Sequence, residues 1–264
     1  VEADEFDKSF LRLKPDFACI TSLDIDHLDV YEDSKKLKAA FKEFKNNVVD
    51  GGFIISNENV EISSIKYGIG NDSTYKAVNI EYNSQFSQFD MQSNDTEIKN
   101  VKIQLPGFHN IMNTVAAISI ALEVGISENI ILNALNSFRG VERRFSYNIN
   151  NESIILIDDY AHHPEEIKQV HSTLKLIYPK EELLVVFQPH LFSRTRDLMN
   201  EFAIELSKFD AVILLEIYPA REEPIDGVNS KLLLSKIDSE YKVLCSKSEI
   251  SNKIKNIGFK VNIT

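Results

Sequence analysis

Ile154-Ile155-Leu156-Ile157-Asp158-Asp159-Tyr160-Ala161-His162-His163-Pro164-Glu165-Glu166 is the stretch on which the architecture turns. The four apolar residues read as a buried parallel strand. The residues after them are acids, a phenol and two imidazoles, and ligands of open α/β sheets bind at the carboxyl ends of strands. A helix start follows. Pro164 suits the first helical position, and Glu165 and Glu166 suit the positive end of the helix dipole. Ile167, Val170, His171, Leu174 and Ile177 then trace one helical face.

Working outward, the same design recurs twice downstream. Leu183–Phe187 reads as a buried strand and runs into Gln188-Pro189-His190-Leu191-Phe192-Ser193-Arg194-Thr195-Arg196-Asp197. Ala211–Leu215 runs into Glu216-Ile217-Tyr218-Pro219-Ala220-Arg221-Glu222-Glu223. Three strands that each end in a loop rich in charge, two of them with imidazole, imply a site. Neighbouring parallel strands would bring the first two loops to one edge of a sheet. Alternation of strand and helix to the end of the chain implies βαβ units.

Upstream, Phe17–Thr21 and Phe53–Ser56 read as strands. A helix is expected over 33–50, with Leu37, Phe41, Phe44 and Val48 on one side and Gly51-Gly52 as its stop. Alternation from Tyr75 to Tyr82, Phe86 to Met91 and Ile98 to Leu105 predicts a small antiparallel sheet joined by Asn-, Ser- and Asp-rich turns. A long helix follows Pro106-Gly107, and a second has Ser127 as its N-cap. Residues 139–144 read as an interdomain linker, which divides the chain at 1–141 and 142–264. The fold class is α/β.

At 264 residues the length suits two domains or one large one. Apolar content of 43% and charge of 26% are those of a globular chain. A net charge of −11 argues against a nonspecific nucleic-acid binder. No apolar run approaches the roughly 20 residues that span a bilayer. Cys19 and Cys245 stand in apolar contexts and read as thiols in a reducing compartment. The chain opens without a Met and closes on what looks like a strand just starting, so it reads as a piece of a longer protein.

Four further clusters carry chemistry. Glu2-Ala3-Asp4-Glu5-Phe6-Asp7 suits a hard cation such as Mg²⁺, or is an exposed acidic turn. Asp24-Ile25-Asp26-His27-Leu28-Asp29 could ligate a metal, or cap a helix. His109 and Asn113 stand one helical turn apart, where an amide can read a base edge. Arg143 and Arg144, in the linker, could contact phosphates or simply be solvated. No G-x-x-x-x-G-K-[S/T] phosphate loop occurs in the chain.

In order, the chain shows E-A-D-E-x-D-x-S-F-L, D-H-L-D, P-G-x-H-N-x-x-N, E-R-R-F, D-D-Y-A-H-H-P, F-Q-P-H-L-F-S-R-T-R-D and E-I-Y-P-A-R-E. This series resembles the Mur ligase family, in the branch that adds alanine. The resemblance implies the remainder of a P-loop-type ATPase domain followed by a Rossmann-like domain. It also implies a bacterial cytoplasmic enzyme that uses ATP and Mg²⁺. The implied reaction joins L-alanine to the carboxylate of UDP-N-acetylmuramate through an acyl phosphate, in peptidoglycan precursor synthesis. The expected partners are those small molecules, with no nucleic acid and no membrane.

By the same resemblance, Glu2 and His27 hold the cations. Asn113 reads adenine with His109 beside it, Arg144 contacts ATP, and Asp159 closes onto the nucleotide. Tyr160, His162, His163, His190 and Arg194 surround the muramoyl carboxylate and the alanine, and any of the three histidines could take the proton from the amine. Leu191 stands where some relatives have Arg. Lys42 lies at about the distance of a lysine carbamylated in other branches and is not assigned. A ligase that recycles a murein tripeptide, folylpolyglutamate synthase and a non-catalytic module descended from a ligase are the competing readings.

Overall fold

The computed structural model describes residues 2–3, 5, 7–23, 31, 33–82 and 86–264. It divides into two compact units, residues 1–138 and 139–264.

In the first unit, β1 (Phe17–Ile20), β2 (Phe53–Asn57), β3 (Ile65–Gly68), β4 (Tyr75–Tyr82), β5 (Ser87–Gln92) and β6 (Glu97–Ile103) lie side by side in chain order. The pairs from β1 to β4 are parallel, and those from β4 to β6 are antiparallel. The expected antiparallel strands therefore extend the parallel ones in one sheet and do not stand apart. The Asn-rich character of this tract has a backbone cause. Asn79 and Asn100 take positive φ of 52° and 56°, which short amide side chains tolerate. The register shifts beside both residues. The Asp90 carboxylate accepts from Asn79 Nδ2 and from the Asn100 N–H, each at 2.8 Å.

Helix α1 (Ser34–Asn46) covers one face of this sheet, with Leu37, Ala40 and Phe44 buried against Phe10, Ala18 and Ile20. Asp33 caps it by accepting from the N–H groups of Lys35 and Lys36. The helix stops four residues short of the expected end. Its next groups find partners elsewhere: Val49 N–H donates to Pro15 O and Asn47 Nδ2 to Leu11 O. The other face takes α2 (Phe108–Glu123) and α3 (Glu128–Ser137). There Ile111, Val115, Ile118 and Ile131 pack on Ile55, Tyr67, Phe89 and Val101.

In the second unit the strands are β7 (Ser146–Asn150), β8 (Ile155–Asp158), β9 (Leu183–Phe187), β10 (Ala211–Leu214), β11 (Tyr241–Leu244) and β12 (Val261–Ile263). Their order is β11-β10-β9-β12-β8-β7, parallel apart from the edge strand β7. The expectation that β8 and β9 are neighbours is wrong, because β12 lies between them. Helices α4 (Pro164–Ile177), α5 (Phe192–Asp197), α6 (Met199–Leu206), α7 (Ser230–Lys236) and α8 (Ile250–Ile257) complete the unit. Every residue of β9 is buried. Leu183, Val185 and Phe187 face the cluster that includes Ile167, Leu174 and Phe202, whereas Leu184 and Val186 face Ile213, Ile250 and Ile254. Burial on both faces is what a continuous apolar run means in a parallel sheet. Among the described residues no helix is long and apolar enough to cross a membrane.

Candidate functional site

The loop after β8 is tied to the chain segment that enters the unit. The Asp159 carboxylate accepts from the Phe145 N–H at 2.7 Å and from the Ala161 N–H at 2.8 Å. Tyr160 N–H donates to Arg143 O at 2.7 Å. Burial pushes the Asp159 carboxyl above its ordinary value, against the opposing pull of those two N–H groups and of Arg144. Arg143 and Phe145 hold positive φ, at 58° and 50°, an uncommon state for side chains of their size. The guanidinium of Arg143 pairs with Asp158 at 3.3 Å and lies 4.9 Å from the Tyr160 ring centroid. Arg144, expected at the nucleotide, pairs with Glu166 at 3.3 Å and lies 6.0 Å from the same ring.

The two adjacent histidines have different jobs. His163 is the N-cap of α4, and its Nδ1 accepts from the Glu165 N–H at 3.3 Å. That lone pair is occupied, so the ring carries its proton on Nε2, which is buried without a hydrogen-bond partner. His162 is the reverse. Its Nδ1 is 2.8 Å from Tyr160 O and 3.4 Å from the Glu166 carboxylate, and both neighbours only accept. Nδ1 therefore carries the proton, and Nε2 keeps its lone pair. Glu166 also accepts from the backbone N–H groups of His162 and His163, at 2.8 and 3.1 Å.

The loops after β9 and β10 continue the sheet edge. Leu191 N–H donates to Tyr218 O and Tyr218 N–H to Pro189 O, so His190 and Tyr218 form a parallel bridge beyond the strands. Their rings stack at 5.6 Å. With His162–His190 at 6.2 Å and Tyr160–His162 at 5.3 Å, four rings run in a row across three loops. Burial lowers the basicity of His190, and the positive charge of Arg194 adds to that. Arg194 is buried, at 8% exposure, on the short helix α5. Glu222 receives both the N–H and the hydroxyl of Ser193 and so anchors the start of that helix to the third loop. Arg196 pairs with Asp197 at 2.7 Å.

The second unit thus gathers Asp159, Tyr160, His162, His163, His190 and Arg194 on the loops at one sheet edge. In the first unit, Glu2 is exposed, His109 is half-buried in the first turn of α2, and Asn113 is exposed one turn later. An exposed carboxylate is a donor of the kind a hard cation takes. His27 lies outside the described residues, as do Asp24, Asp26 and Asp29. Lys42 is exposed on α1.

Three residues with a place at this edge were missed as individuals in the sequence: Glu166, Tyr218 and Glu222. Glu166 carried a signal only as a first-turn acid. The other two stood inside the third charged loop without a feature to single them out.

The Mur ligase middle domain model matches residues 3–121, and the model described as Mur ligase, glutamate ligase domain matches residues 143–257. A UDP-N-acetylmuramate–L-alanine ligase of Christiangramia forsetii is 48% identical over 97% of this chain and 56% of its own length. One of Flavobacterium psychrophilum is 46% identical over 100% of this chain and 59% of its own length. The crystal structure of UDP-N-acetylmuramate–alanine ligase from Thermotoga maritima superposes with a TM-score of 0.78 at 25% identity, covering 99% of this chain and 58% of that one. The chain thus spans less than two thirds of the length of each. With both domain models matched in order, the chain belongs to the Mur ligase family and carries its middle and glutamate ligase domains.

Proposed function

We propose that the protein ligates L-alanine to UDP-N-acetylmuramate at the expense of ATP, as a cytoplasmic step of peptidoglycan precursor synthesis. The similarity to relatives bearing that name supports the reaction. The observation that carries the site is the row Tyr160, His162, His190 and Tyr218 beside buried Arg194 on one sheet edge.

In this reading the muramoyl carboxylate attacks the γ-phosphorus of ATP, ADP leaves, and an acyl phosphate forms. The alanine nitrogen then attacks the acyl carbon, inorganic phosphate leaves, and the amine gives up a proton. Arg194 suits the carboxylate and acyl phosphate, because its planar fork of donors matches two oxygens. His162 is the proton acceptor of choice among the three histidines. Its Nδ1–H is held and its Nε2 lone pair is open, whereas His163 spends its lone pair on the helix cap. His190, disfavoured as a cation, lies beside His162 and suits orientation of the amine.

Asn113 and His109 are the proposed adenine contacts, and Arg144 and Asp159 the further residues proposed for the nucleotide. Mg²⁺, held by Glu2 and His27, would supply charge neutralisation on the phosphates. The test is to assay the full-length gene product for ADP formation with UDP-N-acetylmuramate and ATP while the amine is varied. Turnover with L-alanine and not with the murein tripeptide is expected. Preference for the tripeptide, or ADP formation indifferent to the amine, would refute the proposal.

A further inference from the structure

We infer that Glu166 is a positioning residue that ties His162 and Arg144 into one unit: its carboxylate reinforces the hold of the Tyr160 carbonyl on the proton-accepting ring and also fixes the Arg144 guanidinium. The inference rests on the reading of His162 given above.

A glutamate at the third position of a helix ordinarily completes a capping box by reaching the N-cap N–H alone. Glu166 does this at His163 N, 3.1 Å away, and then does more. Its Oε2 also takes the His162 N–H at 2.8 Å and lies 3.4 Å from His162 Nδ1. Its Oε1 takes Arg144 Nη1 at 3.3 Å, from a residue 22 positions earlier in the chain. The carboxylate is partly shielded, and burial acts to raise its proton affinity. The His162 N–H and the Arg144 guanidinium outweigh that and hold it below the ordinary glutamate value.

The groups facing this carboxylate are therefore His162 and its N–H, the His163 N–H and Arg144, with Asp159 as a nearby like charge. Two consequences follow. The negative oxygen beside Nδ1 favours the Nδ1–H tautomer, which is the form with an open lone pair on Nε2. The other oxygen fixes a guanidinium that would otherwise swing free on the linker.

Glu166→Gln separates these roles from capping, because glutamine also completes a capping box but carries no charge. In the full-length enzyme, Glu166→Gln should lower kcat about tenfold or more, part of the roughly 10²–10⁴ that a positioned base supplies. It should raise the apparent KM for ATP while leaving the melting temperature near wild type. Independently of turnover, imidazole nitrogen shifts in the 264-residue chain at about pH 8, above the ordinary histidine range, report the His162 tautomer. Wild type should show Nδ1–H, and Glu166→Gln should shift population to Nε2–H. Near-wild-type kcat in the variant, or an unchanged tautomer, would overturn the inference. A full-length wild type without alanine-dependent turnover would sink the ligase reading instead, and the tautomer measurement would still decide for Glu166.

Discussion

Asp159 illustrates how one side chain connects backbone geometry to the site. Its two oxygens serve two different N–H groups, one at Phe145 on the segment entering the unit and one in its own loop. Both bonds require an acceptor, so an ionised carboxylate is the one side chain of this size that satisfies both. Asp159→Asn keeps one acceptor and turns a donor toward the other N–H. A buried N–H left unsatisfied costs about 1–3 kcal/mol. The variant should lose roughly that much stability in urea denaturation of the chain, and protease cleavage around residues 139–145 should accelerate. Unchanged stability would mean that the linker is held by Tyr160 and Arg143 alone.

At the scale of elements, α4 carries the site at its first turn and a pH-sensitive contact further along. His171 packs edge-on against Phe209 at 4.9 Å, and its Nε2 lies 3.0 Å from Lys208 O. Burial lowers its pKa, and the charges of Lys175 and Lys208 add to that. The Lys208 carbonyl and Glu205 act the other way. The sign follows from linkage. A histidine held neutral binds fewer protons folded than unfolded, so stability is retained above the ordinary value of about 6.5 and is lost as pH falls through the lowered value. His171→Gln should flatten the fall in melting temperature just below about pH 6.5, a range in which the carboxylates with lowered pKa values are still ionised. A slope identical to wild type would remove His171 from the acid response.

The same helix shows what was legible beforehand. Its strand, its Pro164 start and its buried face of Ile167, Val170 and Leu174 are local features, so periodicity and cap chemistry were enough to read them. The stop of α1 at Asn46 was not legible, because it depends on acceptors at Leu11 and Pro15, more than thirty residues upstream. Likewise β12 is three residues long and holds a buried Asn262. The end of the chain was legible as a strand, but nothing local could show that it inserts between β8 and β9. At the candidate site, His162, His190 and Arg194 could be proposed from sequence because each follows an apolar run. Glu166 and Glu222 act by reaching loops far away in the chain, and their partners were invisible until the backbone was folded.

For the molecule as a whole, the proposed reaction asks different chemistry of each of the two α/β units. The first presents an amide and an imidazole on the opening turns of α2 and an acidic segment ahead of β1. The second presents rings, a buried arginine and paired carboxylates at the carboxyl edge of its parallel sheet. Activation of the carboxylate needs the phosphate-handling groups, whereas transfer to the amine needs a proton acceptor. In the proposed reaction His162 serves the second step. The direct measurement is a rapid-quench comparison of wild-type and His162→Asn full-length enzyme, following ADP and ligated product separately in a single turnover. An ADP burst close to wild type is expected, with transfer to alanine slowed by about 100-fold or more. Equal slowing of both steps, or no slowing of transfer, would contradict that role of His162.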